Sequence, residues 1–185
     1  MRRLIGGFAI AAALALAAGA AAKDLPEADC GDFLMALEYS PLFVANGLMC
    51  HAGGEHLGDV EIIEARGRNN FTYLRHLTAE DSTGIPAGDL QYFADRAGPF
   101  RATERWGETV QRGVFSTRAF GALPEDRSVK GYECVVFSRY SGDGAAPETF
   151  GDEFIGYFCF ESTKGPAPME SALIDDFLKR LRLAY

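Results

Sequence analysis

Runs of Lys or Arg are missing from this 185-residue chain, as are a C-x-x-C pair, a Gly-x-Ser-x-Gly elbow and, after Lys23, any internal repeat, linker or low-complexity tract. Each absence excludes something. Nucleic acid is held by clustered cations that release counterions from phosphate; with 26 acidic against 18 basic residues and a formal charge of −8, no nucleic-acid partner is expected. The acidity reads as solubility. Without C-x-x-C there is no zinc ribbon and no thioredoxin-type redox site. Without the elbow, nothing local marks a serine nucleophile, although a triad assembles in space and is not excluded by that alone. Histidine is scarce too, only His51, His56 and His76. None lies close in sequence to Ser40, Ser82, Ser116, Ser128, Ser138, Ser141, Ser162 or Ser171. No catalytic residue, metal ligand or cofactor is assigned from these patterns.

The N-terminus carries an export pattern: Met1-Arg2-Arg3, an apolar Ala- and Leu-rich run over 4–18, then Ala20-Ala21-Ala22. This is the order of a secretory signal peptide. Cleavage is expected after Ala22, giving a signal peptide over 1–22 and a single globular domain over 23–185. A membrane anchor would need roughly 20 apolar residues, and this run is short and ends in small side chains. The residues around Arg2-Arg3 do not extend a twin-arginine address. Cys30 follows Glu27-Ala28-Asp29, which is not a lipidation context. Loss of Arg2 and Arg3 makes the mature chain more acidic still, with no stable membrane anchor. The expected location is periplasmic or extracellular.

All four cysteines, Cys30, Cys50, Cys134 and Cys159, lie in the mature part. An even number in an oxidising compartment reads as a disulfide framework. Of three possible connectivities we expect Cys30 with Cys50 and Cys134 with Cys159, because the second pair sits on two strands of one hairpin. Each bridge stabilises by about 3 kcal/mol through the unfolded chain.

The pattern predicts an α+β fold: a mainly antiparallel sheet with a short N-terminal helix over 32–39 and a C-terminal amphipathic helix packed on it. Strands are expected over 60–65 and 70–78, with a turn at 67–70. A loop is expected over 79–89 and one strand over 109–120. The runs 132–140 and 152–161 form a long-looped hairpin in which Cys134 faces Cys159. One face then carries Val135, Phe137, Phe154, Phe158 and Phe160, and the other Val136, Tyr140, Ile155 and Tyr157. After Pro166 and Pro168, a helix from about Met169 presents Leu173, Ile174, Phe177, Leu178 and Leu181 as its apolar stripe. Its mixed-sign polar side marks a structural helix, not a lipid-seeking one.

The densest polar group is Cys50-His51-Ala52-Gly53-Gly54-Glu55-His56-Leu57-Gly58-Asp59. As a site it would use His51, Glu55, His56 and Asp59. Helical zinc motifs space their ligands three or four apart, whereas His51 and His56 are five apart around two glycines, so a polar loop stapled by Cys50 is the plainer expectation. Carboxylate pairs for glycoside chemistry could be drawn from Glu61, Glu64, Glu133, Asp152, Glu153 or Glu161, but 26 acids produce pairs by chance. The loop holding Asp143, Glu148, Asp152 and Glu153 lacks the order of a calcium loop. Trp106, near Arg101 and Arg105, is either a binding aromatic or core.

Around the last hairpin the sequence Cys134-Val135-Val136-Phe137-Ser138-Arg139, a Gly-rich turn, Gly156-Tyr157-Phe158-Cys159 and a closing amphipathic helix resembles a group of small uncharacterised exported bacterial proteins. Those proteins carry a Cys-x-x-Phe-x-Arg strand followed by Gly-Tyr-x-Cys. The resemblance supports the Cys134–Cys159 pairing and implies no activity. The expected function is a non-enzymatic exported domain binding a protein or small ligand. The alternative is a secreted hydrolase with a site near the His51–His56 loop.

Overall fold

The computed structural model describes residues 25–37, 47–55, 58–80, 84–125, 129–142, 144 and 149–183. The signal peptide expected over 1–22 lies outside the described residues. In chain order the strands are β1 Met35–Leu37, β2 Gly47–Glu55, β3 Gly58–Arg66, β4 Asn70–Ala79 and β5 Ile85–Pro86. After helix α1, Leu90–Ala97, come β6 Phe100–Glu104, β7 Thr109–Arg112, β8 Phe115–Pro124, β9 Tyr132–Ser141, β10 Thr149–Phe150, β11 Asp152–Glu161 and β12 Ala167–Pro168. Helix α2, Ser171–Leu178, and β13, Leu181–Leu183, complete the order.

The main sheet runs β2-β3-β4-β11-β9-β8-β6, with β7 also paired to β8 and β12 lying parallel to β9. Its centre is the aromatic hairpin of β9 and β11, paired from Asp152 opposite Ser141 to Glu161 opposite Tyr132, so Cys159 faces Cys134 as the pattern required. Alternation along the strands then builds two cores. The first face carries Tyr73, Leu77, Phe120, Val136, Ile155 and Tyr157 and is covered by Leu90 and Ala94 of α1 and by Ile85 of β5. The second carries Leu74, Phe115, Val135, Phe137, Phe154 and Phe158 and is covered by Ile174 and Phe177 of α2 with Met35 and Leu181. Each face thus receives one eight-residue helix and one two-stranded ribbon, β5 with β10 on the first and β1 with β13 on the second. Gly156, opposite Leu74 and Phe137, leaves room at the centre, where a Cβ would press on the Tyr73 carbonyl and the Phe137 ring.

The expected α+β class is corrected. Strands make up 58% and helix 14% of the described residues, giving a large β-sandwich-like fold. No helix forms where 32–39 was expected to be one: a 3-10 turn at Cys30–Asp32, capped by Asp29, is followed by β1. Pairing with β13 overrides the helix propensity of Met-Ala-Leu; residues 38 and 39 lie outside the described residues. The C-terminal helix ends at Leu178, and Leu181, the last residue of its expected stripe, sits on β13. The strand expected over 109–120 is a hairpin, turned at Gly113, whose φ is +60°.

Both expected bridges are formed, Cys30–Cys50 and Cys134–Cys159, with Cα–Cα distances of 5.4 and 4.2 Å. Two disulfides mark a chain that matures outside the reducing cytoplasm. No helix among the described residues is long and apolar enough to cross a membrane.

Candidate functional site

The segment expected to be a polar loop at Cys50 is edge strand β2 and the start of β3. Strand pairing separates its candidate residues. His51 faces Ile62, on the first face, and its Nδ1 meets the Leu25 carbonyl at 3.2 Å. Asp59 is opposite Gly54, on the other face, and Glu55 closes β2 opposite Gly58. His56 lies outside the described residues.

His76, on β4, belongs to the second face, away from His51. It is only 2% exposed, and its Nδ1 and Nε2 lie 3.4 Å from Glu61 Oε2 and 3.4 Å from Asp152 Oδ1. Thr78 Oγ1 donates to the same Asp152 oxygen at 3.3 Å, and Glu61 accepts from the Leu34 N–H at 3.2 Å. Of the six acids considered for carboxylate chemistry, Glu61 and Asp152 are therefore brought to one histidine. The cluster ties β3, β4, β11 and the N-terminal segment together, and its burial closes His76 to a substrate. Glu153 pairs with Arg75 at 3.2 Å, and Glu133 accepts from Ser162 at 2.9 Å. Among the described residues no group of three or more His, Cys, Asp and Glu is arranged to hold a metal ion. Asp143 and Glu148 lie outside the described residues. Trp106 packs against the first core, stacked on Phe120 at 4.5 Å, and receives the guanidinium of Arg118 at 4.9 Å, not Arg101 or Arg105.

An open groove lies elsewhere. On the second face, the β7–β8 hairpin and α2 enclose a solvent-open groove of about 620 Å³. Val110 and Val114 line its hairpin side and are 44% and 59% exposed, while Phe115 and Leu178 are nearly buried beneath them. Arg112 crosses from hairpin to helix, donating from Nη1 to Asp175 Oδ1 at 2.7 Å and from Nη2 to Ser171 Oγ at 2.9 Å. Lys179, exposed at the helix end, makes no ion pair among the described residues. The groove thus combines aliphatic walls, one internally neutralised charge pair and one further cation. Ligand sites are commonly concave and apolar with a few convergent polar groups.

Sequence reading missed this groove because it spans two segments about sixty positions apart. One signal was present: Gly113, inside an otherwise β-forming run, marks a turn. No protein-family model matches the chain, and neither a curated protein nor a solved structure matches it.

Proposed function

We propose that the mature chain is a non-enzymatic binding domain, periplasmic or extracellular, which takes a partner with an apolar body and an acidic group in the groove between the β7–β8 hairpin and α2. The observation that carries this reading is the exposure of Val110 and Val114 beside Lys179, which makes no ion pair among the described residues, in a chain whose charge is otherwise acidic. Aliphatic side chains exposed together cost solvation unless a partner covers them. A cation at the rim selects the sign of that partner. The groove volume lies in the range that holds a small ligand or a few side chains of a protein. The alternative hydrolase reading gains no support from the placement of His51 and His76 on opposite faces of the sheet.

Titration with anilinonaphthalene sulfonate, an aromatic sulfonate of this chemistry, tests the reading. Saturable binding to the folded protein is expected, with amide shift changes confined to 110–115 and 175–179. Val114→Asp and Lys179→Glu should each weaken it by about tenfold, or 1.4 kcal/mol. Saturable binding that neither substitution alters, or shift changes centred elsewhere, would refute the assignment.

A further inference from the structure

The two disulfides differ in what surrounds them. Cys134 and Cys159 are both 0% exposed, on the central strands of the sheet. Cys50 is 1% exposed, but its partner Cys30, at the start of the 3-10 turn, is only partly buried against the rim of the second core. One bridge is sealed at both ends and the other at one end. Cys30 also lies in the middle of a covering segment. Before it, Glu27 bridges His51, Ala28 N–H donates to the Cys50 carbonyl at 2.8 Å, and Ala52 N–H donates to the Pro26 carbonyl at 3.2 Å, so residues 26–28 cover the outer side of β2. Gly53 gives this cover room, since a Cβ there would stand 3.0 Å from Leu25 Cδ2. After it, Leu34 N–H donates to Glu61 and Met35 enters the second core.

We infer that Cys30–Cys50 is a site of thiol–disulfide exchange, attacked at Cys30 Sγ by an external dithiol, and that its reduction loosens the segment over β2. Exchange requires a thiolate to reach one sulfur of the bridge, so access selects both the bridge and the sulfur. The attacking thiol gives up its proton and its thiolate bonds to Cys30 Sγ. The electron pair of the broken S–S bond leaves on Cys50 Sγ, which takes up a proton. The second thiol of the reductant then attacks the mixed disulfide, freeing Cys30 as a thiol and closing the reductant into its own disulfide. Two electrons pass from the dithiol to the protein.

The surroundings also select the reductant. Residues 25–37 carry Glu27, Asp29 and Asp32, all exposed, and neither this stretch nor β2 contains a Lys or Arg. Their field repels an anionic thiol and attracts a cationic one. The dithiol that fits is therefore one presented on an uncharged or basic surface. The argument does not use the groove, so it stands or falls apart from the function proposed above.

Dithiothreitol applied to the folded protein, with timed alkylation and peptide mapping, follows each bridge. Cys30–Cys50 is expected to open about a hundredfold faster than Cys134–Cys159, which waits for global unfolding. Cysteamine, a cationic monothiol, should be recovered after acid quenching as a mixed disulfide on Cys30 and not on Cys50. Its rate should fall with added salt while that of anionic glutathione rises, because salt screens the local carboxylates. In protein reduced at this bridge alone, the Ala28 and Ala52 amides should lose more protection from hydrogen exchange than those of β9 and β11. Equal reduction of the two bridges, adducts on Cys50, salt effects of the same sign for both monothiols, or undiminished protection at Ala28 and Ala52 would each overturn the inference.

Discussion

Tyr140 reaches from β9 across the first face to the segment that precedes α1. Its hydroxyl accepts from the Gly88 N–H at 2.7 Å and donates to Glu153 Oε1 at 3.0 Å, while Arg75 Nη1 holds the other Glu153 oxygen at 3.2 Å. Burial first, and then the charge of Glu153, push its phenol well above the ordinary value of 10.0. Tyr157 is raised too, by burial and then by Tyr73. The folded state thus holds these protons more tightly than the unfolded chain. Above about pH 10 the unfolded chain loses them first, so stability is fully present below that pH and declines as pH rises further. Urea midpoints should fall across this alkaline window, and the fall should be shallower in Tyr140→Phe. At neutral pH, Tyr140→Phe leaves the Gly88 N–H and one Glu153 oxygen without this partner, a loss of about 1–3 kcal/mol. A Tyr140→Phe protein with the parent's full alkaline slope would show that Tyr140 does not carry the effect. None of this was legible in sequence, because Gly88, Tyr140 and Glu153 meet only through the pairing of distant strands.

Among the elements, the β9–β11 hairpin was the most legible. Both strands are apolar on alternate positions of each face, and a one-residue slip would move every side chain to the wrong core. Strand β2 was hidden by Gly47, Gly53 and Gly54, residues depleted in strands, and its pairing rests on β3 instead of its own composition. Helix α1 carries a helical pattern of its own in the sequence. Asp89 caps it through the Tyr92 N–H, and Leu90, Phe93, Ala94 and Ala97 repeat at helical spacing toward the first core. In α2 the buried stripe was read correctly for Ile174, Phe177 and Leu178, but the helix stops there, and Arg180 N–H bonds to the Phe177 carbonyl at its end. The same helix supplies one wall of the groove, which sets an order of energies. Phe177 is 0% exposed and lies flat on Phe158, with centroids 4.3 Å apart, whereas Leu178 is 9% exposed at the groove floor. Phe177→Ala should cost about 3–5 kcal/mol and Leu178→Ala about 2 kcal/mol, the lower end for a leucine, because its cavity opens to water. Denaturant midpoints with unchanged slopes would measure both. Equal losses would mean that Leu178 is packed as tightly as Phe177.

For the molecule as a whole, the two disulfides close loops of similar length, with sequence separations of 20 and 25. Restriction of the unfolded chain therefore gives them nearly equal weight, about 3 kcal/mol each. Their places in the native state are unlike. Cys134 and Cys159 are fully buried in the centre of the sheet, on strands that ten register pairs already hold together. Cys30 is joined to edge strand β2, and the segment around it is otherwise fastened by Ala28 to Cys50, Ala52 to Pro26, Leu34 to Glu61 and the short β1–β13 ribbon. Replacing Cys134 and Cys159 together by Ala should lower the unfolding midpoint while amide exchange quickens uniformly with the loss of global stability. Replacing Cys30 and Cys50 together should lower the midpoint by a similar amount and also release 25–37 through local opening, since its other ties are short: the three-residue β1–β13 ribbon, single backbone hydrogen bonds and the burial of Met35. That release would uncover Met35 in the second core and break the cover over β2, leaving both edges of the sheet open to pairing. Hydrogen exchange resolved by residue measures the difference. The Ala28 and Ala52 amides should exchange far faster than those of β9 and β11 in the Cys30/Cys50 double variant, and retain their parent ranking in the Cys134/Cys159 one. If both variants lost protection at Ala28 and Ala52 to the same extent, the N-terminal segment would be held by the sheet and not by its disulfide.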